Sequence, residues 1–292
     1  MTTIHVPQSN WLAENWKAFD QLRKRHPSTL IGLSVLIMMA FMAIAAPLLG
    51  TVDPQSVAPI DRLKPPSAEH WFGTDALGRD VYSRVVYGSR VSLSVGLAVA
   101  LLSTGLGLLL GLLTGFIRWL DPIIMRIMDG LMSIPSILLA IALMALTKAS
   151  VENVIIAITI SEIPRVVRLV RSLVLTLRDQ PYVEAATACG TSMVLTLTRH
   201  ILPNIMAPLL VQATYVCASA MITEAILSFI GAGTPPNIPS WGNIMAEGRS
   251  LFQIAGYLIF FPAIFLSLTV LAVNFLGDGM RDALDPRLSR RM

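Results

Sequence analysis

Apolar residues run in blocks long enough to cross a bilayer at 30–49, 91–117, 128–147, 151–170, 205–231 and 252–276, separated by polar segments that carry Pro and Gly. About 30 Å of hydrocarbon requires roughly 20 helical residues, and lipid offers no partner to an open backbone. The pattern therefore predicts an all-α integral membrane protein with six transmembrane helices. Glu152, Glu162, Pro164 and Arg165 interrupt the fourth block, so that helix is expected to be surrounded by other helices and not by lipid. Within the second block, Ser103, Gly107, Gly111 and Gly115 recur every four residues, a low-relief face on which another backbone can approach closely.

The same pattern divides the chain into an N-terminal segment 1–29, a first span 30–49, a long connection 50–90, a five-helix core 91–276 that contains a second long connection 171–203, and a tail 277–292. Connection 50–90 carries Pro54, Pro59, Pro65 and Pro66. A helical pattern follows from Asp80, with Val81/Val85 and Tyr82/Val86 stacked at i,i+4; this reads as a short amphipathic helix lying on the membrane surface. The first apolar run begins after a mostly polar segment and exceeds a signal-peptide core in length. Although Ala43-Ile44-Ala45 faintly resembles a cleavage site, the run reads as an uncleaved anchor.

Lys and Arg set the orientation. With the N-terminus inside, fifteen of the 22 basic residues fall on the cytoplasmic side and seven outside, which places both termini and 171–203 in the cytoplasm and 50–90 and 232–250 outside. Composition agrees with a bilayer protein: 54% hydrophobic, 14% charged, mean hydropathy +0.67. The net charge of +4 comes from scattered residues and not from a basic face, so no nucleic-acid partner is implied. Cys189 and Cys217 lack the spacing of a disulfide framework or a metal site.

Catalytic signatures are missing. None of Lys17, Lys24, Lys64 and Lys148 follows a glycine, so there is no phosphate-binding GxxxxGK[ST] loop, and no histidine begins an HExxH motif. The chain reads as a non-enzyme with no cofactor and no metal.

Connection 171–203 reads Pro181-Tyr182-Val183-Glu184-Ala185-Ala186, then Gly190, then Leu202-Pro203. Pro181 suits a first helical turn, Glu184 complements the positive end of that helix, and Gly190 permits a sharp turn into a second short helix bearing Met193, Val194 and Leu197 until Pro203 opens the next span. On residues alone, an ordinary interfacial hairpin and a docking knob are equally good readings.

In that register, Glu184, Ala185, Ala186, Gly190, Leu202 and Pro203 resemble the EAA loop of bacterial ABC importer permeases, which inserts into a cleft of the ATPase subunit; His200 stands where many members of the wider superfamily have an aliphatic residue. Phe72-Gly73-Thr74-Asp75 through Gly78-Arg79-Asp80 to Arg84, Glu224 through Trp241-Gly242, and Gly277-Asp278-Gly279 through Asp285-Pro286-Arg287 resemble the C-type permease of dipeptide and oligopeptide importers. The resemblance implies an inner-membrane assembly of this subunit, a B-type permease, two ATP-binding subunits and an extracytoplasmic solute-binding protein, with the peptide passing between the permeases. Dipeptides, longer peptides, glutathione, opines and nickel complexes all remain open as substrates.

The rival reading is a secondary transporter or channel working alone, for which intramembrane ionisable groups would be the warrant: Glu162, Asp129 and Glu224. Glu162 can be neutralised by Arg165, Arg168 and Arg171 at helical spacing, and Asp129 by Arg126 at i,i+3. Glu224 is the better pathway candidate, with a structural hydrogen bond to a neighbouring helix as its alternative. A scaffolding membrane protein fits the composition but gives no reason for the loop motif.

Overall fold

The computed structural model describes residues 27–284. The basic groups at the two ends of the chain and the Asp285-Pro286-Arg287 end of the tail motif lie outside the described residues. The helices are α1 (Pro27–Ile44), α2 (Val81–Phe116), α3 (Asp121–Met132), α4 (Ser136–Ala145), α5 (Val151–Arg178), α6 (Pro181–Ala188), α7 (Met193–Leu195), α8 (Leu202–Phe229), α9 (Trp241–Gly248) and α10 (Tyr257–Leu284). A π-helical segment, Thr196–Ile201, joins α7 to α8. No strand is present among the described residues, only an isolated bridge between Thr74 and Asp80.

The helices depart from the sequence expectations at three places. The expected surface helix from Asp80 is instead the first turns of the 36-residue α2. Asp80 caps it by accepting from Ser83 N at 2.8 Å, nothing between Arg90 and Val91 can break it, and Val81, Val85 and Val86 are fully buried. The expected third span, 128–147, is bent: α3 and α4 meet at 87°. Pro135 explains this, because it has no N–H to donate to residue 131 and drives Ile134 out of helical geometry. Finally, Pro203 stands in the first turn of α8 as expected, but no break precedes it. Helical structure runs on from Met193 to Phe229, the π-turn shifting the hydrogen-bond register just ahead of the proline.

Among the described residues, four helices are long and apolar enough to cross a membrane, and five if the bent pair counts as one. They make a multi-pass membrane bundle. Helix α5, which contains the expected fourth span, carries too many charges to join that set.

In the bundle, α10 packs between α1 and α8, and α2 packs on α5 and α8. The four-residue repeat on α2 faces α5. A Cβ on Gly107 would lie 2.5 Å from the Val166 Cβ, one on Gly111 2.6 Å from that of Val170, and one on Gly115 2.5 Å from that of Val174. Glycines on one helix and valines on the other repeat with the same four-residue period, so the backbones meet without a gap.

One end of the bundle carries the 181–201 hairpin; the other carries a cap built from 46–80 and 232–256. The cap explains its own motif. Phe72 stacks on Phe261 with ring centroids 4.0 Å apart. Gly73 and Gly78 both have φ of +78°, and a Cβ on Gly78 would collide with the Ala58 carbonyl. Trp241, fully buried, donates Nε1–H to the Val85 carbonyl at 3.1 Å. Asp75, Arg79 and Arg84 form a buried charge network with Glu247: Arg79 Nε donates to Asp75 Oδ2 at 2.6 Å, Arg84 NH1 to Asp75 Oδ2 at 2.6 Å, and Arg84 NH2 to Glu247 Oε1 at 2.9 Å.

Candidate functional site

Pro181 occupies the first turn of α6, where its missing N–H costs nothing, and Glu184 sits in the same turn. The helix ends in a Schellman motif: Gly190 N–H donates to the Thr187 carbonyl at 2.9 Å and Thr191 N–H to the Ala186 carbonyl at 3.1 Å, with Gly190 at φ +82°. This positive φ is why glycine stands there, since nothing lies within 4 Å of a Cβ built on it. Val183, Thr196 and Ile201, all buried, root the hairpin in the bundle.

Its outward surface is open. Glu184, Ala185 and Gly190 are exposed and Ala186 is half-buried, while Tyr182, Met193, Val194 and Leu195 add exposed apolar area, Val194 at 70%. Leu202 and Pro203 lie at the base, in the first turn of α8. His200 lies within the π-helical segment, and its carbonyl accepts from Asn204 Nδ2 at 2.7 Å. A cavity of about 420 Å³, lined by Phe116, Arg118, Arg178, Val183 and Glu184 among others, opens between the hairpin and the loop after α2. The arrangement has the shape of a docking knob: rigid, partly apolar, with one carboxylate, and continuous with a long helix.

The three ionisable residues singled out within the spans lie apart. Glu162 on α5 is buried; Oε2 accepts from Arg165 NH1 at 3.1 Å and Oε1 from Ser219 Oγ of α8 at 3.2 Å. Asp129 on α3 is exposed and pairs across the bundle with Arg168 of α5 at 2.8 Å, not with Arg126. The i,i+3 spacing permits the local pair, but Arg168 reaches in from a separate helix, which sequence separation conceals. A second bridge, Arg171 to Asp121 at 2.5 and 2.6 Å, ties the same two helices.

Glu224 on α8 has no exposed surface in this chain. Its Oε1 accepts from Ser228 Oγ at 2.8 Å, and that hydroxyl continues to Thr234 and thence to Ser240, the cap of α9. Oε2 has no protein partner among the described residues. Glu224→Leu strips Ser228 of its acceptor inside the core, costing about 1–3 kcal/mol. We expect a lower yield of monodisperse protein after detergent extraction, whereas Glu224→Gln, which retains an acceptor oxygen, should stay near the wild type. Equal yields for all three proteins would show that the hydroxyl chain does not hold α9 in place.

Reading the sequence missed one feature of α5. Ser161, Arg165, Arg168, Ser172 and Thr176 follow the i, i+4, i+7, i+11, i+15 rhythm of a single helix face, and the last four are exposed. The signal was in the spacing. Arg165 also stacks over the Tyr215 ring of α8, 5.2 Å from its centroid.

Comparison with known proteins follows the same outline. A family model described as binding-protein-dependent transport system inner membrane component matches residues 103–290, and one described as the N-terminal TM domain of oligopeptide transport permease C matches residues 13–66. A probable peptide ABC transporter permease protein, y4tQ of Sinorhizobium fredii, is 54% identical over 93% of each chain. The dipeptide transport system permease protein DppC of Alkalihalophilus pseudofirmus is 42% identical over 97% of this chain and 93% of its own. Among solved structures, a chain of the MetNI methionine ABC transporter in an inward-facing conformation superposes with a TM-score of 0.56 at 20% identity, covering 69% of this chain and 96% of that one. At that identity the likeness concerns the fold.

Proposed function

The chain belongs to the family of binding-protein-dependent transport system inner membrane components, and we propose that it is one pore-forming half of an ATP-driven importer that passes peptides handed over by an extracytoplasmic solute-binding protein. The observation that carries this reading is the hairpin. A rooted knob turning at Gly190, φ +82°, leaves Glu184 and Ala185 exposed and open to a partner, and a transporter working alone gives its motif no reason. A separate ATPase gives it a cleft to enter.

In this reading a B-type permease completes the pore and two ATP-binding subunits sit beneath the hairpins. ATP binding and hydrolysis elsewhere bias the bundle between two packings, because only a ligand with different affinity for two states can shift them. The chain then spans the inner membrane six times, with the bent α3–α4 pair as the third crossing and α5, sheltered by its neighbours, as the fourth. Peptides as the cargo class are supported by the relatives named for peptide and dipeptide transport.

Tagged chain purified from its host membrane should bring down two different ATP-binding subunits and a second permease, and deletion of its gene should abolish uptake of a radiolabelled peptide mixture. Recovery of the chain alone, with uptake intact, would sink the proposal. Orientation has its own test. Cys189 is exposed beside Gly190 in this chain, so an impermeant maleimide should label it in inside-out vesicles stripped of the ATP-binding subunits and not in intact cells. Labelling from outside would invert the topology.

A further inference from the structure

We propose that the polar face of α5, centred on Arg165 and Arg168, lines a water-filled lane that takes the free carboxylate of a passing peptide. This rests on the importer reading above for its cargo, but the lane itself is argued from the helix.

Arg165 lies about 21 Å along the axis from Val151, at roughly 1.5 Å per residue, which sets it inside a hydrocarbon slab of about 30 Å when Val151 marks one edge. The α5 face turned toward α2 is Val166, Val170 and Val174, packed on glycines. The face turned away is Ser161, Arg165, Arg168, Ser172 and Thr176, with the Arg165 and Arg168 side chains 42% and 51% exposed. Lipid is a poor cover for Arg165, which lies about 9 Å inside the nearer edge of that slab and carries part of the penalty of about 2.5–3.5 kcal/mol charged at the centre. A partner subunit is the other candidate cover, since arginine is common at interfaces, and the labelling below separates it from water. Water covers the face without penalty.

The chemistry of the face suits transient contact. Arg165 is half-neutralised by Glu162 at 3.1 Å and Arg168 by Asp129 at 2.8 Å, and each guanidinium keeps donors that have no partner among the described residues. Five N–H groups in a planar fork match a carboxylate, and Asp129, exposed beside Arg168, offers an acceptor to an ammonium group. Arginines already paired bind an incoming carboxylate weakly and release it, which passage requires. Both termini of a short zwitterionic peptide find a complement on one face.

The test uses the assembled transporter in two arms. In the first, Ser161→Cys, on the same face and about 15 Å from Val151, at the middle of that slab, is exposed to a charged methanethiosulfonate in nucleotide-free membranes, and modification is read by mass spectrometry of the segment around residue 161. Leu101→Cys, exposed to 66% on the apolar surface of α2, is the control. Modification at 161 and none at 101 is expected. Protection at 161 in the assembly but reaction in the isolated chain means a partner subunit covers the face, and no reaction in either means lipid does; both results overturn the lane. In the second arm, proteoliposomes take up dialanine or dialanine amide. Arg165→Gln and Arg168→Gln should each reduce dialanine uptake at least about tenfold, while amide uptake changes less than about twofold. Equal losses for both peptides would make the arginines structural and overturn carboxylate recognition. If the wild type takes up neither peptide, the peptide reading fails and the labelling arm decides the lane.

Discussion

Gly190→Arg is expected to leave the chain in the membrane at normal abundance and to prevent ATP-binding subunits from co-purifying with it. The backbone argument is specific. At φ +82° any L-residue is strained, by about 1–2 kcal/mol, but no atom of this chain lies within 4 Å of the new Cβ, so the fold loses little. The bulk and charge instead enter whatever space the partner occupies against the hairpin. Gly231 provides a matched control. It stands at φ +85° after α8 in the same Schellman motif, with Gly231 N–H to the Ser228 carbonyl at 3.0 Å and Ala232 N–H to the Leu227 carbonyl at 2.8 Å, and nothing within 4 Å of a Cβ there either. Gly231→Arg imposes the same strain at the opposite end of the molecule. We expect co-purified ATPase to fall at least about tenfold for Gly190→Arg, equivalent to roughly 1.4 kcal/mol of association energy or more, and to stay near the wild type for Gly231→Arg. A parallel loss in both would assign the effect to backbone strain and not to docking.

Glu247→Ala is expected to be the most damaging single substitution in the cap. Arg84 is 1% exposed and holds Glu247 with both terminal nitrogens, and Arg79 NH2 reaches the same carboxylate at 2.8 Å. Removing it leaves two arginines sharing Asp75, which is already committed to the backbone N–H groups of Leu77 and Arg79. An uncompensated buried charge costs about 3–5 kcal/mol. The thermal unfolding midpoint in detergent should drop by many degrees, and a protease should cut within 50–80 faster than in the wild type. The double variant Arg84→Met/Glu247→Leu removes both charges together and should recover most of the loss. No shift for Glu247→Ala would mean water already solvates the network.

How much of this was legible depended on the range over which each signal acts. The glycine repeat of α2 was read correctly because packing of that kind is encoded in one helix. The run from Asp80 was misread because i,i+4 stacking looks the same in a surface helix and in the first turns of a long one, and only a breaker between Arg90 and Val91 could have separated them. Hydropathy averages across Pro135 and is blind to an 87° bend. Asp129 was given its neighbour in sequence, whereas its partner Arg168 stands 39 residues away. The charges of α5 were read as interruptions of an apolar block, although their spacing already placed them on one face. Glu247 drew no notice, since its three cationic contacts come from residues more than 160 positions earlier.

The π-turn before Pro203 has a mechanical consequence. Because the register shifts instead of breaking, the second half of the hairpin and α8 form one continuous helix of 37 residues, about 55 Å at 1.5 Å per residue. A tilt of about 5° applied at Met193 displaces the far end, at Phe229, by about 5 Å over that length. The far end is where Glu224 and Ser228 hold the hydroxyl chain to α9 and the cap. On the importer reading, a small rotation of an ATPase docked on the hairpin would reach the opposite mouth as a movement the size of an amino-acid side chain, less whatever bending Pro208 inside α8 takes up.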